Sequence, residues 1–262
     1  MRQYILLLLV TTLFFSCESE DDNTLQADNY FDLSVGNSWT YNNTITQDGN
    51  TNSGSETLEV SGVETINNED HFSFTQTNVE QPGLVTSILT SGELYKTNDN
   101  AQLVFTGDYN FEATPELPSL NFELNNATIY DQSAQAGATV YNQSNTITQE
   151  IQGVPLNINY SINIINGGNI GELTVNNETY QNVYQSEIII SADIQADLGL
   201  ISVTVLEQQD VVTATNYFAP NIGLIRSDVA TELLFEDLPQ INLPDVSSTS
   251  SQELIDFSLT VD

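Results

Sequence analysis

Between Val154 and Ile164 the chain alternates strictly: Val154, Leu156, Ile158, Tyr160, Ile162 and Ile164 are apolar, while Pro155, Asn157, Asn159, Ser161 and Asn163 separate them. A period of two is the mark of a strand with one buried face, because successive side chains leave a strand on opposite sides. Asn166-Gly-Gly-Asn169 follows and reads as a turn, with Leu173-Thr-Val175 as the returning strand. Shorter segments of the same kind run from Thr57 to Val60, His71 to Thr75 and Leu103 to Phe105. Leu200 to Phe218, rich in Val and Thr, pairs in this reading with Tyr180 to Ile194 through Asp197-Leu-Gly199. The strongest helical window, Ile188 to Leu200, opens on three β-branched isoleucines that favour a strand. Thr114 to Pro118 and Leu238 to Pro244 read as extended loops, since each Pro removes a ladder donor.

No fixed-period repeat is present, which argues against a solenoid or propeller. The expected fold is therefore all-β: one antiparallel domain over 30–262, built as a curved sheet or half-barrel, with a β-sandwich as the alternative. At 262 residues and 39% apolar content the chain can bury a substantial core.

Charge narrows the partners. Asp and Glu number 36 against 3 Lys and Arg, for a formal −33, yet charged residues make up only 15% of the chain. Neutral Asn, Gln, Ser and Thr must supply most of the polar surface. Nucleic acid is excluded as a partner on this balance, since Lys and Arg supply affinity for phosphate. Docking on an anionic lipid surface is disfavoured for the same reason. One Cys and one His rule out a disulfide framework, a Cys-based zinc cluster and a multi-histidine site.

The N-terminus reads as an address. Arg2 precedes an apolar run from Ile5 to Phe15 that is too short for the ~20 residues of a bilayer span but suits a secretory signal. The run ends at Ser16-Cys17. A small residue before the chain's one Cys resembles the lipobox of bacterial lipoproteins, in which the Cys is lipidated and becomes the N-terminus. On this reading residues 1–16 are a lipoprotein signal peptide, Cys17 carries the lipid, and 17–29 form an acidic flexible tether. Glu18-Ser-Glu-Asp-Asp22 resembles the surface-export signal of Bacteroidota lipoproteins. The implied location is the outer membrane, lipid-anchored and exposed at the cell surface, with the periplasmic face as the alternative. Processing would leave Lys96 and Arg226 as the bases.

Two further segments carry a family resemblance. Tyr30-Phe-Asp-Leu-Ser-Val-Gly36-Asn-Ser-Trp39-Thr-Tyr41 opens the domain, and Tyr217-Phe-Ala-Pro220-Asn-Ile-Gly223-Leu-Ile-Arg226 lies near its end. Together they resemble the G-x-x-W-x-Y … APxIGLI pattern of Bacteroidota lipoproteins similar to the TapB-like family. That resemblance implies a curved antiparallel sheet related to the carriers LolA and LolB, and it implies no catalytic residues. Independently of it, Trp39 and Tyr41 alternate with Thr40 and can anchor one face of a strand. Gly36-Asn37 favours a turn, and Pro220 to Gly223 a tight connection. Arg226, beside Asp228, is expected to form a structural ion pair.

Catalytic and metal signals are sparse. His71 follows Glu69-Asp70, but no G-x-S-x-G elbow supplies a nucleophile, so a surface or strand-end His is expected. With 36 acids no two can be nominated as a glycosidase pair. Asp48-Gly-Asn50, Asn98-Asp-Asn100 and Asp193 to Asp197 offer oxygen ligands for adventitious calcium, although none has EF-hand spacing and turn chemistry accounts for them. No cofactor is expected. The functional expectation is a non-enzymatic envelope lipoprotein that binds a protein, small-molecule or glycan ligand on its curved sheet. The alternative is a glycan-acting hydrolase using paired carboxylates.

Overall fold

The computed structural model describes residues 27–97, 99–111, 119–151, 153–199, 201–238 and 243–260. Cys17, the signal segment and most of the acidic leader lie outside them, as do Asn98 and Thr114 to Pro118. Twelve strands and one short helix follow in chain order. They are β1 (Ser38–Gln47), β2 (Asn50–Ile66), β3 (Glu69–Thr77), α1 (Leu84–Leu89), β4 (Gly92–Lys96), β5 (Gln102–Phe111) and β6 (Leu120–Asp131). The second half holds β7 (Thr139–Ile151), β8 (Val154–Val175), β9 (Glu178–Asp197), β10 (Ser202–Ala219), β11 (Gly223–Leu233) and β12 (Val246–Ser258).

All twelve strands belong to one antiparallel sheet in the order β6-β5-β4-β3-β2-β1-β12-β11-β10-β9-β8-β7. Every ladder joins strands consecutive in the chain, except that β1 pairs with β12. The two edges, β6 and β7, are themselves consecutive, so the meander closes almost completely into a barrel-like shape. Where they meet there is a seam without a backbone ladder, crossed by side chains: Gln143 Nε2 donates to the Glu123 carbonyl at 2.7 Å and Gln149 Nε2 to the Ser119 carbonyl at 3.2 Å. A single sheet replaces the sandwich alternative.

Strict alternation places the turns at two ends. The proximal end carries the β2–β3, β8–β9 and β10–β11 turns and the incoming segment 28–37; the distal end carries the β1–β2, β7–β8 and β9–β10 turns. Several are hairpins with left-handed central residues, as the twist of paired strands requires. Asn67-Asn68 has φ of 52° and 69°, Asn176-Asn177 has 48° and 68°, and Asp48-Gly49 has 51° and 75°. Asn and Asp tolerate this region because their short side chains bond locally, which explains part of the chain's Asn richness.

The β9–β10 hairpin through Asp197-Leu-Gly199 stands where the alternation places it. The turn expected at Asn166-Gly-Gly-Asn169 does not form. β8 runs on as one 22-residue strand to Val175, pairing with β9 throughout, with register shifts at Asn166/Gly168, Asn169/Gly171 and Gly171/Glu172. Gly168 and Gly171 take φ of 76° and 88°, so the glycines are spent on bulges that bend the strand rather than on reversing it. The expected returning partner, Leu173 to Val175, is the end of the same strand.

Candidate functional site

The concave interior falls into three zones along the barrel axis. At the proximal end the two segments that carry the family resemblance interlock. Trp39 and Tyr41 are fully buried, as their alternation with Thr40 predicts. Trp39 Nε1 donates to the Ile222 carbonyl at 2.8 Å, and Tyr41 Oη donates to the Leu224 carbonyl at 3.0 Å. Those carbonyls flank Gly223, whose φ is 131° and whose Cα faces the indole so closely that a Cβ would stand 3.3 Å from Trp39 Nε1. The backbone conformation thus calls for glycine there, and a Cβ would also crowd the indole. Pro220 and Asn221 complete the tight β10–β11 connection, and Asn221 N donates to the Asn29 carbonyl at 2.6 Å.

Aromatic packing completes this zone. Phe31 meets Trp39 edge-on at 4.9 Å between centroids, and Tyr30, Tyr130 and Tyr184 form a mutual cluster within 6.0 Å. Burial, then Asp28, lifts the Tyr30 hydroxyl to a pKa of about 12. Burial lifts Tyr130 further, and Tyr41 rises well above its usual value through burial and the nearby Glu56 carboxylate. The incoming segment begins to pack before Tyr30: Asp28 N donates to Gln132 Oε1 at 3.0 Å, and Lys96 Nζ donates to Asn29 Oδ1 at 2.8 Å. Burial lowers the Lys96 pKa, with Asp32 opposing.

Midway, a buried carboxylate latches the helix into the sheet. Glu56 is fully buried on β2. Its Oε1 accepts from Gly83 N (3.1 Å), Thr86 Oγ1 (2.5 Å) and Gln252 Nε2 (2.7 Å), and its Oε2 from Gln76 Nε2 (2.9 Å). Four donors drawn from β3, β12 and the N-terminal part of α1 compensate the charge, as a buried carboxylate requires.

The distal zone is apolar, mostly aliphatic with a Phe111–Phe122–Tyr160 ring cluster on one side, and holds a void of about 30 Å³. Its walls come from the strands beside the seam (Phe111, Leu120, Phe122) and from the facing strands (Ile190, Leu206, Val211). Two residues with polar ends enter this wall: Tyr160, on β8, and Gln149, on the seam strand β7. Its Nε2 holds Ser119 across the seam, while its buried Oε1 has no hydrogen-bond partner among the described residues. Leu198, Ile201 and Leu234, exposed by 39%, 62% and 50%, stand at the same end.

The remaining candidates have structural partners. Arg226 Nε donates to both Asp228 oxygens at 3.0 and 2.8 Å, and its Nη1 lies 3.4 Å from Glu253, so the expected ion pair has a second acid. The hydrogen bond to Asp228 raises the Arg226 pKa against partial burial. His71 sits within β3 rather than at a strand end, with its ring stacked on Tyr95 at 4.5 Å and Nδ1 3.4 Å from Glu93. Asp48-Gly49 is a hairpin turn. Asp99 Oδ1 accepts from Thr97 Oγ1 and Ala101 N. Asp193 accepts from Asn159 at 2.9 Å and Asp197 from Gly199 N at 2.8 Å. Among the described residues no group of three or more His, Cys, Asp or Glu converges. Sequence reasoning missed Glu56 and Gln149. For Glu56 a signal existed, because it stands in phase with Leu58 and Val60.

No family model matches the sequence, and no curated protein matches it either. Solved structures are similar to it in overall shape. One is a Parabacteroides distasonis protein described as a lipoprotein, at 14% identity and a TM-score of 0.41, covering 87% of this chain and 99% of that one. Another is an exported protein with a YmcC-like fold from Bacteroides fragilis, at 10% identity and 0.40, covering 89% and 100%. A third is a LolA superfamily protein from Nitrosomonas europaea, at 10% identity and 0.21, covering 90% and 91%.

Proposed function

We propose that this chain is a non-enzymatic cell-envelope lipoprotein, anchored in the outer membrane through Cys17 and exposed at the surface, that holds a slender apolar group in the distal end of its barrel. The observation that carries this reading is the distal void. Its lining is almost wholly apolar, with Gln149 and Tyr160 the residues that carry polar ends, and it abuts the seam.

At about 30 Å³ the void matches the share of volume of roughly one water molecule. It therefore seats about one methyl group as it stands, and a longer apolar chain enters only if the walls part. Parting the distal ends of β6 and β7 breaks no backbone ladder, and the side-chain bonds of Gln143 and Gln149 are among those that must give way. The free Gln149 Oε1 would accept one hydrogen bond from the ligand, and no cation in the lining would hold an anionic head group. Segment 28–37 enters at the opposite end, so a tether through Cys17 leaves the distal end turned away from the membrane.

The test is fluorescence of N-phenyl-1-naphthylamine titrated with protein lacking residues 1–17. Enhancement that saturates, and that Ala192→Leu abolishes by filling the void, supports the reading. Equal enhancement by the variant removes it. Loss of membrane association on Cys17→Ala tests the anchor separately.

A further inference from the structure

The chain's one Lys has an unusual partner. Lys96 ends β4, where it pairs with the buried Leu103 of β5. The chain carries 36 acids, yet among the described residues the ion pairs fall on His71 and Arg226. The Lys96 amine instead donates to a neutral carboxamide, Asn29 Oδ1, at 2.8 Å. A partly buried ammonium in this position loses hydration with no ion pair in return. Burial shifts Lys96 toward the neutral amine, with Asp32 opposing. A desolvated neutral lysine is a nucleophile, and the group in front of it is an acyl carbon bearing an amide nitrogen.

Both partners are held from elsewhere. Gln132 grips the residue before Asn29 on two sides: Asp28 N donates to Gln132 Oε1 at 3.0 Å, and Gln132 Nε2 donates to the Asp28 carbonyl at 2.7 Å. The Asn29 carbonyl accepts from Asn221 N at 2.6 Å, and the next two residues, Tyr30 and Phe31, are buried. Lys96 is fixed by its ladder to Leu103 and by Thr97 N, which donates to the Gln102 carbonyl at 3.2 Å. Groups so constrained react without the entropy cost of bringing two free reactants together. A turn of the carboxamide presents Cγ to the amine in place of Oδ1.

We propose that Lys96 and Asn29 join in an intramolecular isopeptide bond. The Nζ lone pair attacks Asn29 Cγ, the Cγ–Nδ2 bond breaks, and Nδ2 leaves as ammonia. Starting from the ammonium, Nζ gives up two protons, and both depart with Nδ2 as an ammonium ion. Nothing is oxidised or reduced, and no co-reactant is consumed. Asp32 lies three residues along the same segment, and its charge acts on the amine. It is the carboxylate that carries the proton from Nζ to Nδ2, as a general base and then a general acid. The bond ties the incoming segment to β4 where the chain leading from Cys17 meets the barrel. Pull on the tether then falls on a covalent bond rather than on the packing of Tyr30 and Phe31. Neither the distal void nor its ligand enters this step.

Mass spectrometry decides it. Protein lacking residues 1–17, which keeps every described residue, is purified folded, then denatured and weighed. The expected mass falls short of the sequence by one ammonia. Trypsin acting on the denatured chain should cut after Arg226 and spare Lys96, because an acylated lysine is not a tryptic site. Lys96→Arg keeps the cation and the cleavage site, and should restore both the full mass and the cut. Asn29→Ala should do the same through the other partner, and Asp32→Asn should leave most chains unreacted. Full mass with cleavage after Lys96 in the unsubstituted chain overturns the proposal, whether or not the variants fold, because the contact is then a hydrogen bond only. Loss of ammonia that persists in Lys96→Arg also overturns it, since an asparagine has then cyclised onto its own backbone. Asp32→Asn reacting as completely as the unsubstituted chain removes Asp32 from the step.

Discussion

The two ends of the barrel are filled by different chemistry. Proximally, aromatic rings are locked by directional bonds: Trp39 and Tyr41 each donate to a backbone carbonyl 183 residues away in sequence, and Tyr184 donates to the Asp131 carbonyl at 2.8 Å. Distally, the aliphatic Ile158, Ile190, Leu206 and Val211 predominate beside the Phe111, Phe122 and Tyr160 rings, with few directional bonds, and leave the void. A hydrogen-bonded aromatic core has one good arrangement, because each buried donor must meet its acceptor. An aliphatic wall has several of similar energy, since dispersion contacts are individually small and non-directional. One end is therefore built to hold its shape and the other to change it.

The sharpest way to break this comparison is to truncate one residue at each end. Trp39→Ala should destabilise by about 4 kcal/mol, through the lost burial of the indole and the cavity left behind. The Ile222 carbonyl loses its donor as well. Leu233→Ala in the distal wall should cost about 2 kcal/mol, the low end for such a change, because the neighbouring void lets the site collapse. Urea unfolding of both variants measures the difference. Equal losses would show that the ends are equally rigid.

Between them, Glu56→Ala should cost about 3 kcal/mol, since it strands four donors in a buried site. The loss should concentrate in α1, whose Gly83 and Thr86 both rest on that carboxylate. Hydrogen exchange is expected to show faster exchange of the α1 amides while the β8–β9 ladder stays protected. Uniform acceleration across the sheet would show that Glu56 serves the whole barrel rather than the helix.

What was legible in the sequence follows the same division. Alternation identified β8 and parts of β2, β3, β5, β9 and β10, with the inward pair Trp39 and Tyr41, because period two is a local property of a half-buried strand; the more polar β6, β7 and β12 carried too weak an alternation to be read. The tight turn at Pro220 to Gly223 was legible from its residue types. That these two segments bond to each other was not, since contact across 183 residues depends on β12 closing onto β1. Asn166-Gly-Gly-Asn169 misled because turn residues and bulge residues are chemically the same; only the pairing of β8 with β9 on both sides of the segment separates the two. The distal void left no trace in the sequence, since Leu, Ile and Val line filled and unfilled cores alike.

Alkaline pH should find the proximal end first. Burial raises the hydroxyls of Tyr30, Tyr41, Tyr130 and Tyr184 in the folded chain, whereas in the unfolded chain they ionise near pH 10. Above that pH the unfolded state holds fewer protons than the folded one, so stability is full below about pH 10 and falls as pH rises toward the folded values. For the buried Tyr41 and Tyr130 the loss is about 1.4 kcal/mol per pH unit each. Tyr30, with its folded pKa of about 12, adds a smaller share because it is partly exposed. Absorbance at 295 nm should therefore show part of the tyrosine titrating only together with loss of β-sheet circular dichroism. Smooth titration of all tyrosines with the fold intact would contradict the locked proximal core.

The smallest expected effect tests the distal end from the opposite direction. Val211 is buried at the edge of the void, and Val211→Ile adds one methylene while keeping the β-branch that suits a strand. A void of about 30 Å³ has room for that group, so the variant should gain about 0.8 kcal/mol, the value of one buried methylene. Most core enlargements overpack and destabilise, so a gain here is specific to unfilled space. The same variant should bind N-phenyl-1-naphthylamine more weakly, because the dye and the new methylene compete for one site. Gain in stability with undiminished dye binding would place the dye elsewhere. A loss of stability would mean that the walls already meet in solution, and the difference between the two ends would then be one of hydrogen bonding alone.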